Sequence, residues 1–315
     1  MKYRKLGRTG LKVSEISLGS WLTYGNSVAE ESVAQLTQRA FELGVNFLDT
    51  ANVYMRGEAE ILLGKTLKNY NRDAYVLATK AFWPMGDGPN DRGLSRKHVF
   101  EQVHASLKRL QTDYVDIFYC HRYDKETSVD ETLRTIEDLV RQGKVLYVGV
   151  SEWTAAQIQE GLAVADRYML DRIVVHQPQY NMFHRGIEAE VIPLSERNGI
   201  SQVVFSPLAQ GVLTGKYRKG QDVPAGSRAA DPKSNSFIGR FLVEEQLDKV
   251  EQLIGVANEL GLSMSTLALA WVLRQPNVAS ALVGATRVEQ LEENVKAAGV
   301  VLPSDIVQKI EEILA

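Results

Sequence analysis

Short β-branched or aromatic runs alternate with longer helical patterns along nearly the whole chain, and this alternation limits the possible folds more than any other feature. Strands are predicted at Ile16 to Leu18, Val45 to Leu48, Tyr75 to Ala78, Val115 to Tyr119, Leu146 to Val150, Ile173 to His176, Gln202 to Phe205 and Ala281 to Val283, eight in all. Eight successive βα units imply an α/β chain closed into a (β/α)8 TIM barrel. Such barrels reach 315 residues as one unit, so a single domain spanning 1-315 is expected.

The helices between these strands carry start and stop signals. Ser27 with Glu30, Ser128 with Glu131, Thr154 with Gln157 and Thr286 with Glu289 have the spacing at which side chains satisfy free amides reciprocally. Gly44 and Gly143 stand where a left-handed residue ends a helix. Val99, Val103, Leu107 and Leu110 form an apolar stripe at helical spacing, which should face the barrel. Before the first barrel strand, Tyr3 to Leu6 and Leu11 to Val13 flank Gly7-Arg8-Thr9-Gly10, predicting a β-hairpin that plugs the barrel bottom. Between strands seven and eight the chain is too long for one βα unit. Residues 208-241 predict a long loop over the C-terminal face, a length uncommon outside lids and clamps, and extra helices follow at Glu245 to Leu260 and Ser263 to Gln275.

Composition narrows the function classes. A net charge of -3 offers no basic field for a nucleic-acid backbone, so no nucleic-acid partner is expected. The single cysteine, Cys120, excludes an intrachain disulfide framework and multi-cysteine metal sites, and it reads as a buried strand residue. The histidines show no zinc-ligand spacing, so no metal is expected. The first twenty residues lack a signal-peptide core, and the apolar stretch from Leu267 to Leu273 is far short of the ~20 residues that cross a bilayer. A cytoplasmic protein without direct membrane insertion is expected, and its oligomeric state is left open. Gly211 to Lys216 has neither the spacing nor the Ser or Thr of a nucleotide phosphate loop.

In such a barrel the chemistry lies just beyond the C-terminal strand ends. Asp49, Lys80 and His121 each follow a predicted strand, and Tyr54 lies on the loop after Asp49. A phenol with a reference pKa of about 10 is a weak acid near neutrality, but an adjacent ammonium favours its phenolate. At ~4 Å and an effective dielectric of ~20 the attraction is ~4 kcal/mol, which would bring Tyr54 near 7. Asp49 would hold Lys80 charged, and His121 would aim a carbonyl for protonation during hydride delivery.

These segments, Asp49-Thr50-Ala51-Asn52-Val53-Tyr54, Ala78-Thr79-Lys80, Cys120-His121-Arg122 and Gly149-Val150-Ser151, resemble the aldo-keto reductase superfamily. Gln177-Pro178-Gln179-Tyr180-Asn181, Phe205-Ser206-Pro207-Leu208 and Gly284-Ala285-Thr286, with Glu293-Asn294, resemble the branch of bacterial general reductases and potassium-channel β subunits. The resemblance implies NADPH-dependent reduction of a small aldehyde or ketone, with Asp49, Tyr54, Lys80 and His121 catalytic. It implies that Ser151 and Gln177 hold the nicotinamide carboxamide and that Phe205 stacks on its ring. Ser206, Pro207, Leu208, Gln210, Lys216 and Arg228 would clamp the pyrophosphate. Gly284, Thr286, Arg287, Gln290, Glu293 and Asn294 would take the adenosine end.

Several relatives carry Arg where this chain has Gln290, so Arg287, at a predicted helix N-terminus, is the candidate reader of the 2'-phosphate, with NADH as the competing cofactor. Trp21, Met55, Phe82, Trp83 and Trp153 are the expected apolar substrate pocket. Two other readings fit the same residues: an NADPH-sensing subunit that turns over slowly, as channel β subunits do, and a polyol or sugar dehydrogenase working in the oxidative direction.

Overall fold

The computed structural model describes residues 1–25, 30–231 and 235–315. A two-stranded antiparallel hairpin, β1 (Tyr3–Lys5) and β2 (Lys12–Ser14), precedes a closed parallel barrel. The barrel strands are β3 (Ile16–Gly19), β4 (Phe47–Asp49), β5 (Val76–Ala81), β6 (Val115–Cys120), β7 (Val145–Ser151), β8 (Ile173–Gln177), β9 (Ser201–Val204) and β10 (Val278–Val283). Each pairs in parallel with the next, and β10 returns to β3. All eight predicted barrel strands are present.

Around the barrel run α1 (Glu30–Glu42), α2 (Glu58–Leu67), α3 (Arg96–Leu110), α4 (Val129–Arg141), α5 (Ala155–Tyr168) and α6 (Val191–Asn198). Helices α7 (Glu244–Glu259) and α8 (Met264–Leu273) precede β10, and α9 (Val288–Val295) and α10 (Ser304–Leu314) follow it. The predicted stripe Val99, Val103, Leu107 and Leu110 is buried. Among the described residues no single helix is long and apolar enough to cross a membrane.

Local chemistry explains where the boundaries moved. Val45 was expected to begin a strand, but its amide donates back to Ala40 at 2.8 Å while Gly44, at φ 81°, donates to Phe41. That pair of bonds ends α1 and delays β4 to Phe47. Thr154 and Gln157 form the full reciprocal cap of α5, and Ser128 accepts from the Glu131 amide. The Thr286–Glu289 cap does not form: Arg287 occupies the cap position of α9, and Gln290 Oε1 accepts from the Thr286 amide and hydroxyl at 2.9 and 3.2 Å. The Ser27 cap lies outside the described residues.

Strand alternation sets which side chains reach the barrel axis. Phe47, Val76, Ala78, Ile117, Tyr119, Val175 and Val203 make one buried cluster with Leu6 and Val13 of the hairpin, and among the described residues no helical residue enters it. Because side chains alternate along a strand, the same phase continued toward the C-terminal ends carries Asp49, Lys80, His121, Gln177 and Phe205 inward. The register agrees, with Asp49 opposite Ala78, Lys80 opposite Tyr119 and Ser151 opposite Gln177. Gly149 is required opposite Tyr119, since a Cβ there would meet that ring at 2.5 Å.

The hairpin seals the opposite end. The Gly7 amide donates to Ser201 Oγ at 2.7 Å, the Ser14 amide to Asn46 Oδ1 at 2.8 Å, and Arg4 Nη1 to the Val278 carbonyl at 2.7 Å, all at or before strand starts. Gly7 itself has φ 57° and seats its turn against Gly199, where any Cβ would lie 2.4 Å from the carbonyl oxygen.

Candidate active site

Asp49 is the last residue of β4 and Lys80 lies within β5, one residue from its end, rather than after it as the sequence implied. His121 directly follows β6, and Tyr54 begins the short 3-10 turn Tyr54–Gly57 after β4. The structure brings all four together. Lys80 Nζ donates to Asp49 Oδ1 in a short contact, to the Thr50 carbonyl at 2.9 Å and to the Tyr54 hydroxyl oxygen at 3.3 Å. Gln177 Nε2 donates to the other Asp49 oxygen at 2.8 Å, and Ser151 Oγ donates to the Gln177 carbonyl at 2.9 Å. The His121 ring stands edge-on to Tyr54, with centroids 5.8 Å apart.

The protonation states follow from burial and these bonds. Burial draws the Lys80 pKa down, but the combined attraction of Asp49 and Tyr54 outweighs it and raises the value overall. Three acceptors face an amine that has three donors only when protonated, so the proton stays on Lys80. Burial pushes Asp49 above its ordinary value against the opposing pull of Lys80 and Gln177. Its two oxygens nonetheless accept from an ammonium and an amide, which is the bonding of a carboxylate. Burial, with Lys80 and Arg122 adding to it, pushes His121 well below 6.5, leaving a neutral imidazole whose Nδ1 is buried without a partner.

Tyr54 corrects the sequence reading. Lys80 does pull the phenol down, but burial is the larger influence and Asp49 adds to it, so the Tyr54 pKa rises above its ordinary value instead of falling toward 7. Counting only the cation, at an effective dielectric of ~20, omits the cost of burying a phenolate.

The long loop is a chain of short turns, Ala209–Thr214, Arg228–Ala230, Asn235–Phe237 and Gly239–Phe241. Ser206, Ala209 and Gln210 hold φ of 55°, 46° and 59°, a left-handed conformation costly for residues with a Cβ. Buried Asn181 fixes Ser206 by donating to its carbonyl at 2.9 Å. Gln210 Nε2 donates to Ser206 Oγ at 2.8 Å, and Arg228 Nη1 donates to Gln210 Oε1 in a short contact. Pro207 and Leu208 connect Ser206 to the first of these turns, and Lys216 lies over the Tyr217 ring just after it. Neither Lys216 nor Arg228 belongs to a salt bridge within 4 Å among the described residues, and burial lowers the Arg228 pKa. Gly284 leads out of β10 to Thr286, whose bonds to Gln290 commit that side chain. Glu293 is tied to Lys296 at 2.6 Å and Thr266 at 3.0 Å beside buried Asn294.

The expected apolar residues divide. The Trp83 ring is edge-on to His121 and Phe82, and Met55 is exposed next to Tyr54. Trp21 meets Phe205 edge-on at 6.3 Å and Phe237 at 5.0 Å. Trp153 is 2% exposed and packs on Tyr123, so its ring does not share that mouth. Phe237, missed in the sequence, reaches Trp21 from the long loop, and no periodic pattern announces such a contact. Cys120 is buried, and burial pushes its thiol up to about 12. Among the described residues no three His, Cys, Asp or Glu side chains gather as a metal site.

A closed eight-stranded parallel barrel thus carries a Lys–Asp–Tyr–His corner at one mouth. The chain belongs to the aldo/keto reductase family, whose model matches residues 15–315. It is 45% identical over its full length to proteins from Oryza sativa subsp. japonica and Arabidopsis thaliana, each named a probable voltage-gated potassium channel subunit beta, covering 97% of either. It is 42% identical over 99% of its length to a putative voltage-gated potassium channel subunit beta from Schizosaccharomyces pombe, covering 93% of that protein.

Proposed function

We propose that this protein is an NADPH-dependent aldo-keto reductase that converts aldehydes or ketones to alcohols, with Tyr54 as general acid. The observation that carries this reading is the orientation of the Tyr54 hydroxyl. Its oxygen accepts from Lys80, so its own proton is free to donate elsewhere. A carbonyl oxygen placed between Tyr54 and neutral His121 takes that proton as negative charge develops on it. Lys80 then stabilises the phenolate left behind, and Asp49, held by Gln177, keeps Lys80 charged and aimed.

The residues fit a dinucleotide: two cations that join no salt bridge among the described residues, Lys216 and Arg228, accompany strained backbone at Ser206 and Gln210. Ser151, Gln177 and Phe205 would hold the nicotinamide, Ser206 to Arg228 the pyrophosphate, and Gly284 to Asn294 the adenosine, with Arg287 at the 2'-phosphate. When bound, the reduced nicotinamide supplies the hydride. Trp21, Met55, Phe82 and Trp83 would line the substrate mouth, without Trp153.

The relatives' names, which are those of potassium channel β subunits, favour docking on a channel, and a second reading makes this chain an NADPH sensor there. The two separate by turnover. A reductase oxidises NADPH steadily with a panel of aldehydes, whereas a sensor binds NADPH tightly and releases product slowly. Assays with alcohols and NADP or NAD test the oxidative direction, and absence of turnover in either direction would overturn the reductase reading.

A further inference from the structure

Arg122 follows His121 directly, and the proposed proton transfer does not use it. Its guanidinium lies over the Trp83 ring, 5.4 Å from the centroid, and Trp83 stands edge-on to His121 at 6.3 Å. Nη1 donates to the His121 carbonyl at 2.5 Å. That bond leaves most of the five guanidinium donors uncommitted. Among the described residues Arg122 belongs to no salt bridge within 4 Å.

The acid closest in sequence does not neutralise it. Asp124 is buried, and its carboxylate accepts from the Leu94 amide at 2.7 Å, Thr127 Oγ1 at 2.8 Å and the Glu126 amide at 2.9 Å. The positive field of Arg122 is felt within the site, where it adds to the downward pull on His121 and opposes the rise of Tyr54. A half-buried guanidinium with free donors, laid on a tryptophan that is 38% exposed, matches the geometry of carboxylate or phosphate recognition.

We propose that Arg122 binds an anionic group, a carboxylate or a phosphate, carried by the carbonyl substrate, with Trp83 as the apolar wall beside it. This rests on the reductase reading and narrows its substrate class. The cation lies over Trp83, a residue assigned above to the substrate mouth, and does not belong to the loop of Lys216 and Arg228 assigned to the dinucleotide. A group held there equally in the ground and transition states acts mainly through KM.

The test compares matched substrates with NADPH: 4-formylbenzoate against its methyl ester, and glyceraldehyde 3-phosphate against glyceraldehyde. The wild-type protein is expected to favour the anionic member of at least one pair, and that pair identifies the anion. Arg122→Met should cut this preference in kcat/KM on the order of tenfold, mostly through KM, and Arg122→Lys should keep part of it. If neutral aldehydes are reduced without any anionic preference, or if Arg122→Met lowers both members of a pair equally, the inference falls and the reductase reading stands. If no carbonyl is reduced, the reductase reading falls, and equilibrium binding of 4-(hydroxymethyl)benzoate in the presence of NADP decides the anion site. A Kd weakened about tenfold in Arg122→Met supports the site; an unchanged Kd overturns it.

Discussion

The two ends of the barrel are built from the same strands on opposite principles. At the N-terminal end the hairpin puts Leu6 and Val13 into the apolar interior, bonds backbone amides to Ser201 and Asn46, and donates from the Arg4 side chain to the Val278 carbonyl. At the C-terminal end a buried lysine and aspartate face each other, Arg122, Lys216 and Arg228 join no salt bridge among the described residues, and backbone is strained. Of the positive-φ residues other than glycine, Gln111 and Met169 merely end helices, while Leu22, Met55, Arg56, Glu152, Ser206, Ala209 and Gln210 all lie on loops following barrel strands. Strain and unpaired charge persist where surrounding structure over-determines them, and here they gather at one face. One end supplies stability to a fold whose other end is arranged for chemistry.

Changes at the two ends should therefore separate activity from stability. The largest effect is expected from Tyr54→Phe, which removes the general acid and should lower kcat by roughly 10²–10⁴ while NADPH binding and thermal stability stay near wild type. The pH profile sharpens this. With Tyr54 raised above about 10 and His121 pushed well below 6.5, acid and imidazole hold their working states throughout the neutral range, so kcat should be flat there and fall only at alkaline pH as the phenol ionises. A descending limb near pH 7 would restore the lysine-dominated phenol expected from sequence.

Lys80→Met should cost activity and stability together, because it leaves Asp49 buried without its cation. Breaking a buried pair in this way costs about 3–5 kcal/mol, measurable by denaturant unfolding. Adding Asp49→Asn should recover much of that stability without recovering turnover, and a double variant no more stable than Lys80→Met would show that the pair is not what the single change broke. At the other end, Leu6→Ala should cost about 2–5 kcal/mol of stability through the cavity it leaves. Its kcat under folding conditions should match wild type, and a large loss would break the division between the ends.

The alternation of strands and helices was legible because hydrophobic period and glycine stops are local properties, and all eight strands could be read from it. Asp49, Lys80 and His121 were equally legible as polar residues at strand ends. A stronger signal went unused: the inward phase of Phe47, Val76, Ala78, Ile117, Tyr119 and Val175 runs straight on to the site residues. What could not be read depends on distant partners. Gln177 is engaged with Asp49, 128 positions away, Phe237 reaches Trp21, and the Tyr54 pKa depends on how completely neighbouring loops exclude water. The absent Thr286–Glu289 cap has a local origin instead, since the Gln290 side chain competes for the same amide.

That competition leads to the smallest expected effect, which lies at the C-terminal face but away from the reacting atoms. With Gln290 committed to Thr286, Arg287 is the cation left at the start of α9, and among the described residues it joins no salt bridge. Free amides and the helix dipole favour an anion at that position, and Arg287 adds a full charge. A charge-assisted hydrogen bond to a 2'-phosphate is worth about 1.5–3 kcal/mol, on the order of ten- to hundredfold in Kd. Arg287→Ala should weaken NADPH by about that factor and NADH much less, measured by fluorescence quenching, while thermal stability without cofactor stays near wild type. Equal losses for the two nucleotides would remove Arg287 as the phosphate reader and with it the basis for preferring NADPH.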